Sequence, residues 1–239
     1  LYQGLKDLRL RNWDPFPVDP RSLDAVVLTH AHVDHCGYLP ALARAGFAGA
    51  VHATPDTVAL TGIVLPDSGH LMEEEAAFAN RHGASKHRPA RPLYTRTEAE
   101  AFLPLLRPLP FGERREIADG IRVTLRPTGH ILGAGAALLE IGGGSDPLRV
   151  LLSGDLGRPQ HPLLVAPAPV EAVDVVVMES TYGDRRHEDA GALADLAAAV
   201  SRTTARGGTV IIPAFAVDRT EVLLHHLHAL REEGLIPPV

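Results

Sequence analysis

Short apolar segments of strand length recur along the chain and are separated by longer amphipathic segments. Continuous runs rich in β-branched residues or leucine are typical of strands buried on both faces of a sheet. Four such runs lie at residues 25–28, 150–152, 173–178 and 209–212. Two further segments, 121–127 and 135–141, are also predicted to be strands. The glycine-rich stretch 142–147 predicts a hairpin-like connection to the strand that follows.

Apolar residues at helical spacing predict helices at 37–45, 55–64, 68–82, 96–106, 190–206 and 217–233. The segment 190–206 illustrates the pattern, because its apolar residues share one helical face and Gly207 and Gly208 follow as a stop. Strands that alternate with helices predict the α/β or mixed α+β class. The chain ends with GLIPPV, where a further strand is expected, so the sequence is predicted to be part of a longer protein.

Composition narrows the class of protein without identifying a function. The 239 residues are 45% hydrophobic and 22% charged, as in soluble globular proteins, and no apolar run is long enough to span a membrane. A net charge of −6 argues against coating nucleic acid through bulk positive charge, but not against a nucleic-acid enzyme that uses metal ions and a few arginines. The single cysteine, Cys36, excludes an internal disulfide and predicts a reducing, cytoplasmic location. No thiolate-activating pattern supports Cys36 as a nucleophile.

The densest chemistry in the sequence is the segment THAHVDHCG, which directly follows the first apolar run. Thirteen histidines is a high count for this length, and three of them lie within six residues here. In extended chain, residues two apart point the same way, so His30, His32 and Asp34 are expected to converge. His35 comes where a helix is expected to start, and the turn directs it towards a second centre. Imidazole and carboxylate groups are common zinc ligands.

Two later strand ends supply partners for this cluster. His130 follows the strand 121–127, and Asp155 follows the strand at 150–152 in a Ser-Gly-Asp turn, where its two oxygens can bridge two metals. Taken singly, a turn histidine and a turn-capping acid are the simpler explanations. Taken with the dense cluster, they predict a two-metal site. Two metals about 3.5–4 Å apart activate a water molecule and stabilise both the attacking and the leaving oxygen of an in-line displacement. The site therefore predicts a hydrolase, but it does not identify the substrate.

The motifs THAHVDH, TGH and SGDLGR resemble those of the metallo-β-lactamase superfamily of αββα metallohydrolases. The later segments MESTYGDRRH and GGTVIIPAFAVDRTEVLL resemble the β-CASP branch, which processes nucleic acids. The middle of the chain is similar to bacterial β-CASP ribonucleases close to the polyadenylation-type endonuclease. The resemblance implies a metallo-β-lactamase domain over residues 1–183 and the beginning of a β-CASP α/β domain over 184–239.

The resemblance also implies a ligand set. One zinc ion would be held by three histidines and a second by an adjacent Asp–His pair, with one aspartate bridging; these residues are His30, His32 and His130, then Asp34 and His35, then Asp155. Manganese is the alternative metal. The family pattern places the first metal-site motif upstream of residue 1, and a general-acid histidine and a further zinc-binding histidine beyond Val239. Residues 1–239 alone are therefore expected to be inactive or nearly so.

Catalytic roles are implied for Asp34, Asp155 and Glu179. In this branch the acidic residue matched by Glu179 supports the general-acid histidine, whereas the chemistry alone allows equally for a strand-end acid that caps the following turn. Contacts with substrate are predicted for Ser180, Thr181, Arg185 and Arg219. Arg185, with Arg186 and His187, can meet phosphates, although ordinary surface charge explains these residues equally well.

The leading prediction is a zinc-dependent ribonuclease acting on single-stranded RNA, in which metal-activated hydroxide attacks phosphorus. The alternatives are a small-molecule hydrolase cleaving a thioester or lactone, a DNA nuclease and a non-catalytic scaffold. The segments from Glu179 onwards disfavour the small-molecule hydrolase. Every ligand that this part of the family pattern would contain is present, which disfavours the scaffold. No membrane partner is expected, and a homodimer is allowed.

Overall fold

The computed structural model describes residues 1–3, 6–144, 146–170, 172–185 and 191–238. These residues divide into two compact units, Leu1–Glu179 and Ser180–Val239. The predicted domain boundary after residue 183 is close to this division and stays a prediction. Among the described residues, no helix combines the length and the apolar character needed to cross a membrane.

A parallel three-stranded sheet forms the first half of unit one. Its strands are β1 (Ala25–Val27), β2 (Ala50–Ala53) and β3 (Leu106–Pro108), in that order. Only β1 lies in a predicted strand. The pattern misses β2 and β3 because His52, Arg107 and Pro108 interrupt their apolar runs, and pairing with the neighbouring strand is what makes them extended.

The second sheet has five strands. They are β4 (Arg114–Ala118), β5 (Ile121–Pro127), β6 (Gly135–Ile141), β7 (Leu148–Leu152) and β8 (Val175–Val177), in sequence order. Both β5 and β7 pair antiparallel with β6, so they run in the same direction, and β8 is parallel to β7. The carboxyl ends of β5, β7 and β8 therefore lie at one edge of the sheet. The predicted strands 121–127 and 135–141 are confirmed.

Seven α-helices are described: α1 (Lys6–Arg9), α2 (Val33–Cys36), α3 (Leu39–Arg44), α4 (Pro55–His82), α5 (Arg96–Phe102), α6 (Ala192–Thr204) and α7 (Arg219–Glu232). Short 3-10 turns lie at Leu10–Trp13, Pro20–Ser22 and Leu103–Leu105. The predicted start of α6 at residue 190 falls outside the described residues.

Helix α4 corrects the prediction of two helices at 55–64 and 68–82. It is continuous through Pro66, with the Thr54 hydroxyl accepting a hydrogen bond from the amide of Thr57 at its start. Proline removes one backbone hydrogen bond, but the helix is held on both sides of it. Leu65 is fully buried, and Gly69 lies against the backbone of Thr95 and Arg96, where a side chain would not fit.

Two other helix predictions have wrong bounds. The helix predicted at 37–45 begins earlier, since α2 starts at Val33 inside the histidine motif and α3 follows after a turn. The helix predicted at 96–106 ends at Phe102, because a 3-10 turn containing Pro104 follows and the chain enters β3 at Leu106.

Two strand predictions are also corrected. Residues 209–212 are not in a strand, and the described part of unit two contains no strand that could pair with them. The run 173–178 does contain β8, but its residues are exposed rather than buried on both faces. Among the described residues this strand is at the edge of its sheet and pairs with β7 alone.

The core of unit one lies against both sheets. A larger apolar cluster joins β1 and β2 to α3, α4 and α5, with Val51, Leu65 and Phe102 among its most buried members. A smaller cluster lies on the second sheet around Val123 and Leu125, and Val27 of β1 packs against it. Unit two has its own small cluster, formed where α6 packs against α7 and the residues after it. The mixed α/β class is confirmed.

Candidate metal centre

Five residues, 28–32, connect the end of β1 to the start of α2 and carry the first two histidines of the motif. After β1, the amide of Leu28 still donates to the carbonyl of His52, and His30 is fully buried. His32 is the N-cap residue of α2, and its carbonyl accepts hydrogen bonds from the amides of His35 and Cys36. The expectation that Asp34 continues an extended chain after His30 and His32 is therefore wrong. Asp34 lies in the first turn of α2, beside His35.

The loop that carries His130 follows β5 and is tied to two other parts of the fold. The carbonyl of Gly133 accepts hydrogen bonds from the hydroxyls of Thr54 at 2.7 Å and Thr57 at 2.9 Å, both at the start of α4. The amide of Gly135 donates to the carbonyl of Thr29 at 2.9 Å. The loop is thus fixed directly beside the backbone of the histidine motif.

The turn that carries Asp155 follows β7 and approaches both of the other segments. Gly154 has φ +58°, and a Cβ there would lie 2.8 Å from the Cβ of Thr29, so glycine is required on both counts. The amide of Gly157 donates to the carbonyl of Thr128 at 2.9 Å. These contacts bring the three ligand-bearing segments together at the sheet edge formed by the carboxyl ends of β5 and β7.

Four side chains form one compact group of possible metal ligands. One ligand atom from each of His30, His32, His130 and Asp155 lies within 4.8 Å of all the others. The Nδ1 atom of His32 is 3.2 Å from Nε2 of His30 and 3.2 Å from Nε2 of His130. Oδ2 of Asp155 is 3.7 Å from Nε2 of His30 and 3.4 Å from Nε2 of His130. Three imidazoles and one carboxylate are a donor set that suits Zn²⁺.

A second, more exposed group adjoins the first. Oδ1 of Asp155 is 3.3 Å from Nε2 of His35, and that nitrogen is 3.6 Å from Oδ2 of Asp34. The two oxygens of Asp155 therefore face different groups. The structure brings all six sequence-predicted ligands into one cluster, with Asp155 between its two parts.

Electrostatics agree with a metal-binding role for the buried histidine. Burial, followed by repulsion from the imidazoles of His35, His130 and His32, lowers the pKa of His30 to about 2. The ring is therefore neutral, which is the form that binds metals. Its Nδ1 is 3.2 Å from the hydroxyl of Thr29, so Nε2 is the nitrogen that faces the cluster. Nothing in the sequence pattern singled out Thr29, although its place directly before the first histidine is a usable signal.

Cys36 lies behind the cluster and not in it. It is fully buried, and its thiol donates to the carbonyl of Ala31 at 3.3 Å. Burial is the main cause that raises the pKa of the Cys36 thiol to about 12. A thiol in this state is a poor nucleophile, in agreement with the sequence analysis.

Glu179 directly supports the turn that carries Asp155. Its Oε1 accepts a hydrogen bond from the amide of Leu156 at 2.9 Å, and its own amide donates to the hydroxyl of Ser153 at 3.1 Å. The Ser153 hydroxyl in turn donates to the carbonyl of Gly154 at 2.6 Å. Turn capping, one of the two roles considered for Glu179, is thus present. Sequence reasoning missed Ser153, whose signal is its position between a buried strand and Gly-Asp.

The four predicted substrate-binding residues belong to unit two. Ser180 and Thr181 are exposed in the turn that opens it, and Arg219 is exposed at the start of α7. Nε of Arg185 is 3.6 Å from Oδ1 of Asp184, and its guanidinium lies 5.9 Å from the centre of the Tyr182 ring. Their role towards substrate stays a prediction. Arg186 and His187 lie outside the described residues.

Comparison with known proteins gives a consistent family assignment. The chain is 34% identical over 229 residues to Ribonuclease TTHA0252 of Thermus thermophilus, covering 95% of this chain and 48% of that relative. It is 36% identical over 227 residues to Transcription termination factor FttA of Methanothermobacter thermautotrophicus, covering 91% of this chain and 32% of the relative. The FttA of Methanocaldococcus jannaschii is 33% identical over 218 residues, again covering 32% of the relative.

The chain spans about half of the length of the first of these relatives and about a third of the other two. The family model for the metallo-beta-lactamase superfamily matches residues 15–206, which is most of the chain and includes every residue of the ligand cluster. Together with the two sheets and the cluster at their edge, this match shows that the chain belongs to the metallo-beta-lactamase superfamily.

Proposed function

We propose that the protein is a metal-dependent hydrolase that cleaves phosphodiester bonds in single-stranded RNA, as a member of the β-CASP branch of its superfamily. The observation that carries the proposal is the cluster in which Asp155 lies between two groups of ligands. A shared carboxylate of this kind suits a two-metal centre for phosphoryl chemistry. Relatives named as a ribonuclease and as a transcription termination factor support RNA as the polymer.

The cofactor we propose is a pair of Zn²⁺ ions, with Mn²⁺ as the alternative. His30, His32 and His130 would hold one ion, Asp34 and His35 the other, and Asp155 would bridge them. Bound in this way, the ions would supply a lowered pKa for water and charge stabilisation at the phosphate. Imidazoles bind metals in their neutral form, so the two carboxylates, Asp34 and Asp155, would leave a bound pair of divalent ions with a net positive charge that can attract a phosphate.

The remaining roles belong to the chain itself. Thr29 fixes the ring of His30 through its Nδ1, and the turn of Asp155 is held by Ser153 and Glu179. Supporting contacts of this kind orient metal ligands in many enzymes. Glu179 would also support a general-acid histidine, as the family pattern implies. Ser180, Thr181, Arg185 and Arg219 would contact the RNA.

A cytoplasmic location and a homodimer complete the proposal. The location is supported by the single cysteine, since no disulfide can form within the chain. Dimer formation is tested directly by the mass of the purified protein in solution.

The deciding experiment uses the full-length protein, purified with zinc or manganese. End-labelled single-stranded RNA and DNA of the same sequence are incubated with the wild type and with Asp155→Asn. Metal-dependent cleavage of RNA that is lost in Asp155→Asn supports the proposal, and the ladder of products separates exonuclease from endonuclease action. Cleavage of DNA alone would indicate a DNA nuclease. Two bound metals without cleavage of either polymer would indicate a small-molecule hydrolase, and no bound metal would indicate a scaffold.

A further inference from the structure

The end of α4 and the loop after it form a strongly basic segment. Between Glu75 and Glu98 there is no acidic residue, although the chain as a whole has a net charge of −6. The same interval contains five lysines and arginines and two histidines. A local excess of this size in an acidic protein creates a positive potential that attracts polyanions.

Four of these positive charges are exposed and have no acidic partner among the described residues. They are Arg81, Lys86, Arg88 and Arg91. The next arginine along the chain behaves differently, because Nε of Arg96 pairs with Oε1 of Glu100 at 2.8 Å. Exposed cations without an acidic partner in an acidic protein are available to a negatively charged partner.

The loop presents these charges from a fixed backbone. Helix α4 ends at His82, and its C-cap residue Gly83 has φ +61°. The side chain of Asn80 then makes two hydrogen bonds to Ala90, one to its carbonyl at 2.9 Å and one from its amide at 2.7 Å. Leu93 and Tyr94 follow and are buried in the core. The two ends of the segment 81–90 are therefore held together by the hydrogen bonds between Asn80 and Ala90.

An aromatic pair lies on the last turns of the same helix. Phe78 is 55% exposed, and its ring stacks on that of His82 with centroids 4.1 Å apart and planes at 27°. Arg81 shares this helical face, being three residues from Phe78. Exposed rings next to unpaired arginines are the combination by which proteins bind single-stranded nucleic acid, through base stacking and phosphate contacts.

We propose that this distal basic surface, made of Phe78, Arg81, His82, Lys86, Arg88 and Arg91, binds the backbone and bases of single-stranded RNA. The inference rests on the proposed function and adds a contact remote from the metal centre. Helix α4 starts at the hydrogen bonds between Thr54 and the His130 loop. Its 28 residues place its far end about 40 Å away, at about 1.5 Å per residue. An RNA that contacts both sites must therefore span several nucleotides.

The test measures RNA binding without cleavage. Full-length protein in EDTA is titrated against a fluorescent single-stranded RNA at several salt concentrations, as wild type and as the triple variant Lys86→Gln, Arg88→Gln, Arg91→Gln. Each phosphate contact contributes about 0.7 to the slope of log K against log salt for single strands. The triple variant is therefore expected to lose about 2 from the slope. Phe78→Ala is expected to weaken RNA binding by roughly 5-fold or more through lost stacking.

A matched control changes the net charge equally in another place. Arg202→Gln, Arg206→Gln and Arg231→Gln together neutralise three exposed arginines of unit two, and this variant should keep the wild-type slope. Circular dichroism verifies that all variants fold. Equal salt slopes for both triple variants would overturn the inference, as would Phe78→Ala weakening heparin and RNA equally. If the wild type cleaves RNA but the Lys86→Gln, Arg88→Gln, Arg91→Gln variant keeps the wild-type salt slope, only this inference fails. If the wild type neither binds nor cleaves RNA, the proposed function fails.

Discussion

Replacing Gly157 by alanine should weaken metal binding without replacing any ligand residue. A Cβ atom at this position would lie 1.7 Å from the carbonyl oxygen of Gly129 and 2.4 Å from the amide nitrogen of His130. Ordinary van der Waals contact begins at 3.4 Å, twice the first distance, so the two backbones would have to separate by roughly the same 1.7 Å. Both contacts are to backbone, and no flexible side chain can yield instead.

The size of the effect follows from the tolerance of a metal site. Ligand distances are held to within about 0.2 Å, so a shift of this size moves the ring of His130 well out of place relative to His32 and Asp155. We expect zinc affinity to fall by at least 10-fold to 100-fold, the range typical for losing a supporting contact. Competition with a chromophoric chelator measures the affinity, and native mass spectrometry counts the metals bound.

Gly62→Ala is the matched control for this substitution. Gly62 lies inside α4 with nothing within 4 Å of its added Cβ. Alanine there should leave metal binding unchanged and raise stability by up to about 1 kcal/mol through helix propensity. A folded Gly157→Ala protein that binds zinc with the affinity and stoichiometry of the wild type would refute the reasoning.

Three further outcomes are expected in unit one. Ser153→Ala removes the acceptor for the amide of Glu179, so the free energy of unfolding measured with urea should fall by about 1–3 kcal/mol. An unchanged value would mean that this hydrogen bond does not stabilise the turn of Asp155. Thr95→Ala breaks the reciprocal cap that Thr95 forms with Glu98 and should cost about 1 kcal/mol in the same assay, whereas a loss near zero would contradict it. Burial, and then two nearby arginines, lower the pKa of His52 below 6.5. The unfolded chain therefore binds a proton there at higher pH than the folded chain does, and stability falls as pH drops through 6.5. His52→Gln should flatten this part of the pH dependence, and parallel curves would show that His52 does not contribute.

The sequence predicted the elements whose pattern is local. Strand β5 alternates the apolar Ile121, Val123 and Leu125 with polar residues, and β6 is a mostly apolar run followed by glycines, so the prediction of both strands is confirmed at both ends. By contrast, β2 contains a histidine and β4 contains two arginines and a glutamate, so neither has a strand pattern of its own. Those strands exist because a neighbouring strand supplies their hydrogen bonds. Likewise, α4 continues through Pro66 because tertiary packing outweighs the loss of one backbone bond.

Short motifs also predict which side chains form the cluster, because they contain the ligand residues and their positions after strands. The arrangement of these side chains depends on how the segments pack together. The start of α2 at Val33 placed Asp34 beside His35, and the close approach of Gly157 to Gly129 fixed the loop of His130. Such distances join atoms from segments far apart in the chain. Local patterns carry no information about these distances until the sheets bring the segments together.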